Sequence, residues 1–145
     1  MITRASASGE DLGFPNARVM QVRIARPTNQ LGRVVAFYRD GLGLRELYRF
    51  EGHEGYNGVM LGLPGLSYHL EFTERDGGHP CPAPDKDSLI VLYIPDRDDF
   101  SRVRNRFEKM GRSAVEPENP YWSGAGVTFE DPDGWRLVLC NASGI

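Results

Sequence analysis

The chain repeats its own order of predicted elements once, at an offset of nearly half its length. A strand, an amphipathic helix and three strands are predicted before the middle of the chain, and the same order is predicted after it. Equivalent positions differ by 66 residues in the first strands (Arg23 and Leu89), by 68 at the glycines after the helices (Gly43 and Gly111) and by 67 in the last strands (Glu71 and Val138). Since half of this chain is too short to bury a core well by itself, the two halves are predicted to pair.

The first half is divided by its alternation of polar and apolar residues. Strands are predicted over 19–25, 44–50, 58–63 and 67–73. Between the first two strands, apolar residues fall at helical spacing from Leu31 to Leu42. Thr28 is predicted to cap this helix at its N-terminus, and Gly41 is predicted to help end it.

The second half follows the same plan. Strands are predicted over 89–94, 113–116, 126–130 and 135–140, and a helix is predicted to run from its cap at Asp96 to Gly111. Three prolines mark residues 75–87 as a linker. We expect residues 1–17 to form a flexible tail and residues 18–145 to form one domain, with modules 18–74 and 88–142.

Composition and charge exclude several classes of function. The 145 residues are 40% hydrophobic and 26% charged, which is typical of a soluble globular domain. A net charge of −3 gives no electrostatic reason to expect nucleic acid as a partner. The sequence has neither an apolar run long enough to span a membrane nor a signal peptide. Cys81 and Cys140 form no metal or redox motif, so we expect free thiols and a cytoplasmic protein.

The predicted strand over 67–73 carries the most distinctive polar pattern. Its alternation places Ser67, His69, Glu71 and Thr73 on one face and apolar residues on the other. His69 could act as a general base or anchor a ligand. The favoured interpretation is that it is hydrogen-bonded within a polar network, and His69 and Glu71 remain candidate catalytic residues with no assigned reaction.

Two stretches resemble the vicinal oxygen chelate superfamily. The sequence FYRDGLGL over 37–44 resembles the first helix of that superfamily, and FEDPDG over 129–134 resembles its closing hairpin. Its members include glyoxalase I, extradiol dioxygenases, fosfomycin-resistance enzymes and bleomycin-resistance proteins. The resemblance covers residues 19–142 and implies an α+β fold in which two βαβββ modules pair into a curved mixed sheet around a central cup. It also implies a homodimer.

The resemblance places the metal ligands of the superfamily on the first and last strand of each module. These positions fall here on Arg23, Glu71, Leu89 and Val138, of which only Glu71 has a ligand-type side chain. Since a bound metal ion normally needs three or four protein ligands, no cofactor is predicted. An alternative metal set, His69 and Glu71 with His53, requires the loop over 52–55 to fold inward.

A different occupant of the cup follows from the same positions. Arg23 and Glu71 are expected on adjacent strands, where they would form an ion pair at the position of the metal. If that pair is buried, Arg23→Ala should cost about 3–5 kcal/mol of stability. The apolar half of the cup is expected to be formed by Leu89, Tyr93 and Val138.

Two large aromatic side chains, Tyr121 and Trp122, lie in a proline-containing loop of the second half. They could cover a ligand by stacking on it. They could instead pack against the helix or a dimer partner.

Three classes of function remain open at this point. The favoured prediction is a glyoxalase-like or bleomycin-resistance-like protein that has lost most of its metal ligands and binds a small organic molecule. The alternative is an enzyme, either a metal-dependent lyase or dioxygenase with atypical ligands, or a metal-free acid–base catalyst that uses His69 and Glu71. A regulatory or structural dimer is the third. The residues predicted to contact a ligand are Arg23, His69, Glu71, Leu89, Tyr93, Val138, Tyr121 and Trp122.

Overall fold

The computed structural model describes residues 13–14 and 17–145. The strands are β1 (Gly13–Phe14), β2 (Ala17–Arg18), β3 (Val22–Pro27), β4 (Arg45–His53), β5 (Tyr56–Gly62), β6 (Tyr68–Arg75), β7 (Leu89–Tyr93), β8 (Gly126–Glu130) and β9 (Arg136–Cys140). The helices are α1 (Leu31–Ala36), which continues as a π-helical turn over Phe37–Gly41, and α2 (Arg97–Lys109); a 3₁₀ helix spans Pro120–Ser123. This order confirms the predicted α+β class.

The N-terminal stretch was predicted to be a tail, and most of it lies outside the described residues. Within it, β1 pairs with β2 in a short antiparallel ladder. In the part of the chain that the structure describes, no helix is long and apolar enough to cross a membrane.

Two mixed sheets carry the repeat. The first has the strand order β3-β6-β5-β4 and the second has the order β7-β9-β8. In each sheet the first strand of the module runs parallel to the last, with Arg23 opposite His69 in one and Val91 opposite Val138 in the other. The first and last strands of each module are therefore neighbours, as predicted.

The second sheet has one strand fewer than the first. The strand predicted over 113–116 is reduced to a single bridge, in which the Val115 amide donates to the Thr128 carbonyl at 2.8 Å. Pro117 follows two residues later and has no amide hydrogen to continue a ladder.

One hydrophobic core joins the two modules. The helix-facing sides of both sheets pack around α1 and α2, and three aromatic rings connect the two modules. The ring centroid of Phe37 lies 4.7 Å from that of Phe107, and the Phe107 ring stacks on Phe129 with 4.9 Å between centroids. The buried members of the core are Val34, Val35, Phe37, Tyr38, Leu44, Val59, Leu61, Leu70, Phe72, Phe107, Phe129, Leu137 and Leu139. The predicted pairing of the two halves is thus made through their helix-facing sides.

The start of α1 differs from its prediction. The residue at the N-cap position is Gln30, whereas Thr28 is fully buried and its hydroxyl accepts from the Gln30 amide at 3.1 Å. A carboxylate from β6 completes the helix start, since Glu74 accepts from the Leu31 amide at 2.9 Å. The end of the last strand therefore satisfies a helix amide that a local cap would otherwise have satisfied.

The π-helical turn at the end of α1 brings the backbone of Gly41 against α2. A β-carbon on Gly41 would lie 2.3 Å from Cε1 of Phe107. Glycine at this position allows the two helices to approach closely, which the sequence suggested only as a helix end.

A buried cluster of charged and polar side chains, which we call the Arg26 cluster, links the modules a second time. It comprises Arg26, Tyr38, Asp131 and Asp133. The Arg26 guanidinium forms a buried ion pair with Asp131 and donates to Asp133 at 2.9 Å. It also lies between two rings, 4.9 Å from the Phe72 centroid and 4.8 Å from that of Trp135.

Two members of the Arg26 cluster, Tyr38 and Asp133, have shifted pKa values. Burial and the adjacent Asp131 carboxylate raise the pKa of Tyr38, so its hydroxyl stays protonated and donates to Asp131 at 2.7 Å. Burial opposes ionisation of Asp133, but hydrogen bonds from Gln30, Arg26 and Thr28 outweigh it and lower the pKa of that carboxyl. Tyr38 therefore stays protonated and Asp133 ionised at neutral pH.

The close approach at Gly41 predicts opposite effects for two substitutions in the same helix. Gly41→Ala should lower the free energy of unfolding by about 1–3 kcal/mol, because the Phe107 ring must move. Gly32→Ala, where the added methyl meets nothing within 4 Å, should raise it by about 0.4–1 kcal/mol. Urea unfolding followed by circular dichroism measures both; equal effects would show that the contact is unimportant.

The Arg26 cluster predicts a large effect for the loss of a single charge. Asp131→Asn should cost about 3–5 kcal/mol in urea unfolding, because it leaves a buried guanidinium without its main counter-ion. Arg102→Gln is the matched control, since it breaks an exposed ion pair with Asp99 and should cost about 1 kcal/mol or less. Similar costs for the two variants would argue against a structural role for the cluster.

Candidate functional site

The side of the first sheet that faces away from the core carries the predicted polar residues. We call it the first-sheet face. Strand register places Glu71 beside Met60, and Met60 beside Tyr48, so these three side chains share that face. Arg23 and His69 are opposite each other on β3 and β6 and lie on the same side. The face thus changes from charged at β3 and β6 to apolar and aromatic at β5 and β4.

The predicted contact between Arg23 and Glu71 is present, but it is loose. Arg23 Nη1 lies 3.4 Å from Glu71 Oε2, and the side chains are 41% and 16% exposed. Charge-assisted bonds in tight pairs are shorter, at about 2.7–2.9 Å. The pair is therefore only partly buried, and solvent at the guanidinium screens its attraction to Glu71.

His69 is held by two neighbours. Its Nδ1 contacts the side-chain amide of Gln21, the residue that precedes β3, and its ring lies over Gly62. A β-carbon on Gly62 would come within 2.8 Å of His69 Cδ2, so glycine is required for the ring to lie there. With Nδ1 engaged by the amide, Nε2 is the ring nitrogen left for a ligand.

Sequence reasoning missed three members of the first-sheet face: Gln21, Met60 and Tyr48. Strand alternation places Gln21 with Arg23, so the signal for Gln21 was present. The position of Tyr48 could not be read in that way, because the β4–β5 register shifts between Glu46 and Tyr48. A bulge of this kind reverses the alternation from that point on.

The predicted apolar half of the site lies on the second sheet. Leu89 and Trp122 line an open cavity of about 610 Å³ with Asp87, Val91, Glu118 and Asn119. Tyr93, Tyr121 and Trp122 line a neighbouring cavity of about 290 Å³ that also contacts Cys140. Trp122 therefore borders both cavities.

Val138 differs from the other predicted ligand contacts because it is fully buried. Its Cγ1 lies near Gly126, against which the backbone of Trp122 also packs. A buried side chain offers a ligand no surface, so a direct role for Val138 would require the loop that contains Trp122 to move.

Within one chain, the predicted site residues fall into two groups. Arg23, His69 and Glu71 come together on the first-sheet face. Leu89, Tyr93, Tyr121 and Trp122 come together on the second sheet. The two cavities on the second sheet contain no member of the first group.

The residues at the expected metal positions do not fit a metal ion. Glu71 accepts from a guanidinium, and its three counterparts are Arg23, Leu89 and the buried Val138. Among residues 17–145, no three His, Cys, Asp or Glu side chains are grouped as they would be around an ion. His53 lies at the β4–β5 turn, opposite Tyr56 and hence near Arg75, six residues along β6 from His69. The structure therefore does not bring His53 to His69 and Glu71.

Comparison of the sequence with protein families gives matches to both modules. A model described as the YycE-like N-terminal domain matches residues 22–73, and one described as the YycE-like C-terminal domain matches residues 87–141. The chain is 49% identical over 132 residues to YycE of Bacillus subtilis, a protein of unknown function, covering 91% of this chain and 95% of YycE.

Comparison of the structure with solved structures gives matches within the vicinal oxygen chelate superfamily. The crystal structure of Bacillus subtilis YycE, a protein of unknown function, superposes with a TM-score of 0.85 at 49% identity over 91% of this chain and 96% of that one. Glyoxalase I of Leishmania major matches with a TM-score of 0.64 at 24% identity, with 87% of each chain covered. TnmS3, an antibiotic-binding protein from Streptomyces, matches with a TM-score of 0.59 at 20% identity over 83% of this chain and 93% of that one. The predicted glyoxalase-like fold is confirmed.

The loose contact between Arg23 and Glu71 predicts a small stability effect for its removal. Arg23→Ala should change the free energy of urea unfolding by no more than about 1 kcal/mol, because the pair is partly exposed and long. A loss comparable to that of Asp131→Asn would show that Glu71 depends on this partner in the folded protein.

Proposed function

This chain belongs to the YycE-like family, and from that membership and the geometry of the first-sheet face we propose that it binds a small amphipathic organic molecule with a polar or anionic end, without a metal ion. The observation that carries this proposal is the state of the Arg23 guanidinium. It is 41% exposed and is engaged by Glu71 at 3.4 Å, which is a weak contact for such a pair.

A guanidinium in this state can bind an anion at little cost. Its planar group presents five N–H donors and matches a carboxylate or phosphate in a bidentate manner. Glu71 can accept from a hydroxyl or amine of the same ligand. His69, with its ring fixed by Gln21 and Gly62, provides a third polar contact through Nε2.

The apolar end of the ligand has a surface on the same face. Met60 is half-buried and Tyr48 is 59% exposed, and the register places them in line with Glu71. An aromatic side chain exposed beside charged groups is typical of a ligand site that combines apolar contact with a few polar anchors.

The partner that would complete this site, in our proposal, is a second copy of the chain. A second apolar surface on the second sheet is formed by Leu89, Tyr93, Tyr121 and Trp122. Arg23 lines neither of the two second-sheet cavities. A homodimer that places this surface over the first-sheet face would enclose the ligand. Sedimentation with and without ligand measures the oligomeric state.

The relatives support binding as a function of this fold. TnmS3 is an antibiotic-binding protein, and its fold is shared with this chain. Glyoxalase I shares the fold as well, but the residues at the expected metal positions here include an arginine and two aliphatic side chains. We therefore propose that the usual metal ligands have been lost, which favours binding over metal-dependent chemistry.

A second candidate is proton transfer by His69 and Glu71. One observation favours it: Gln21 orients the imidazole, as the third group of a catalytic set orients a base. His69→Gln separates the two candidates, because it should abolish turnover of a substrate, whereas it should weaken binding only by the loss of the Nε2 contact.

The binding proposal predicts an arginine-dependent affinity for small carboxylates. In calorimetric titrations of 4-phenylbutyrate at pH 7, the protein should bind one molecule per chain. Arg23→Ala should weaken binding at least about tenfold, or about 1.4 kcal/mol. Dialysis against EDTA should leave the affinity unchanged.

The matched control is Arg102→Ala, which removes an exposed arginine on α2 and should not alter the affinity. The neutral amide of the same acid should bind the two arginine variants alike. Equal binding of the acid to Arg23→Ala and to the parent protein, or a requirement for added metal ion, would contradict the proposal.

A further inference from the structure

A third cavity lies between the two modules, on the opposite side of β3 from Arg23. Its volume is about 570 Å³, within the range of about 300–1,000 Å³ found for small-molecule sites. Aliphatic side chains from both halves form its walls, among them Leu42, Leu63, Leu70, Leu92 and Val103. Ile24 and Tyr93 line it as well and are 45% and 46% exposed, so they mark its mouth.

The repeat explains why this space is open. Strand register makes Leu92 the counterpart of Arg26. Arg26 is opposite Phe72 on β6, and Leu92 is opposite Leu139 on β9, which lies 67 residues after Phe72. In the same way, Leu63 lies two residues beyond Leu61, as Asp131 lies two beyond Phe129. The cavity is therefore the repeat counterpart of the Arg26 cluster.

Different kinds of side chain lie at the two junctions between the modules. At one, the long Arg26 side chain and its two carboxylate partners fill the space between the halves. At the other, Leu92 and Leu63 are shorter than that ion pair and leave a hollow between them. A hollow lined by leucine, isoleucine and valine is not a favourable place for water, because water needs polar partners.

The lining also defines what can enter. Of the described side chains that line this cavity, none carries a charge, so an ion would lose its hydration without gaining a partner. Two tyrosines supply polar groups, Tyr68 inside and Tyr93 at the mouth. Burial raises the pKa of Tyr68, so its hydroxyl is a hydrogen-bond donor throughout the neutral range.

We propose that this cavity between the modules is a second ligand site, which binds an uncharged aliphatic or aromatic molecule with one hydrogen-bonding group. It lies on the opposite side of β3 from the anion-binding face of the proposed function, although Leu89 and Tyr93, which line it, also belong to the second-sheet surface described there. Ile24 and Arg23 are consecutive residues of β3 and point to opposite sides of the sheet. Leu70 and Glu71 are consecutive residues of β6 and do the same. The two sites therefore take ligands of different chemistry.

Fluorescence titration with N-phenyl-1-naphthylamine, an uncharged apolar probe, tests the proposal on the full-length protein. We expect saturable binding of one probe per chain, displaced by 1-octanol at a concentration at least tenfold lower than by octanoate at pH 7. Two variants that fill the cavity from different walls, Leu63→Trp and Ile24→Trp, should each weaken probe binding at least tenfold. Ile24 is at the exposed mouth, so that variant is expected to fold normally.

Two controls make the result specific. Met110→Trp adds the same side chain at a residue that is 38% exposed and does not line the cavity, and it should leave probe binding unchanged. Arg23→Ala should also leave it unchanged, so failure of this proposal is distinguishable from failure of the proposed function.

Three results would overturn the proposal. The first is the absence of saturable probe binding to the parent protein. The second is unchanged binding in both filling variants with native circular dichroism. The third is a dimer that dissociates on Ile24→Trp, because the cavity would then be filled by a second copy of the chain and not by a small molecule.

Discussion

The buried guanidinium of Arg26 sets how the two halves of the chain are placed. An isolated charge in a protein interior is costly, so it must be neutralised by groups that come to it. Asp131 and Asp133 come from the turn between β8 and β9, and Tyr38 comes from the helix of the first module. These contacts hold the β8–β9 turn of the second module against β3 and the helix of the first module.

The repeat is symmetric in topology and asymmetric in chemistry. Both modules place their first strand beside their last, and both cover one side of a sheet with a helix. Yet one junction between them is filled by ions and rings, and the other is bordered by leucines around a hollow. The outer faces have diverged as well, because one carries Arg23 and Glu71 and the other is covered in part by Trp122. Such divergence lets one fold offer a polar and an apolar site at the same time.

Much of the fold could be read from alternation and repeat, and the missing parts have physical causes. The resemblance to the vicinal oxygen chelate superfamily was enough to place Arg23 and Glu71 on neighbouring strands. It could not show that water reaches the pair, because exposure depends on what lies above the sheet. The bulge in β4 hid Tyr48, since one extra residue reverses the faces. Asp131 read as a turn residue, and nothing local indicated that its carboxylate serves an arginine 105 residues away.

The two halves differ in length at the π-helical turn that ends α1. Tyr38 and Phe107, both buried helix residues, are 69 residues apart, whereas the glycines after the helices, Gly43 and Gly111, are 68 apart. The first module thus holds one residue more in this turn, and a wider helical turn absorbs it without shifting the strands that follow. The extra residue lies in the turn where the backbone of Gly41 meets the opposing Phe107 ring. The same turn would be the place where a one-residue deletion restores the length of the other copy.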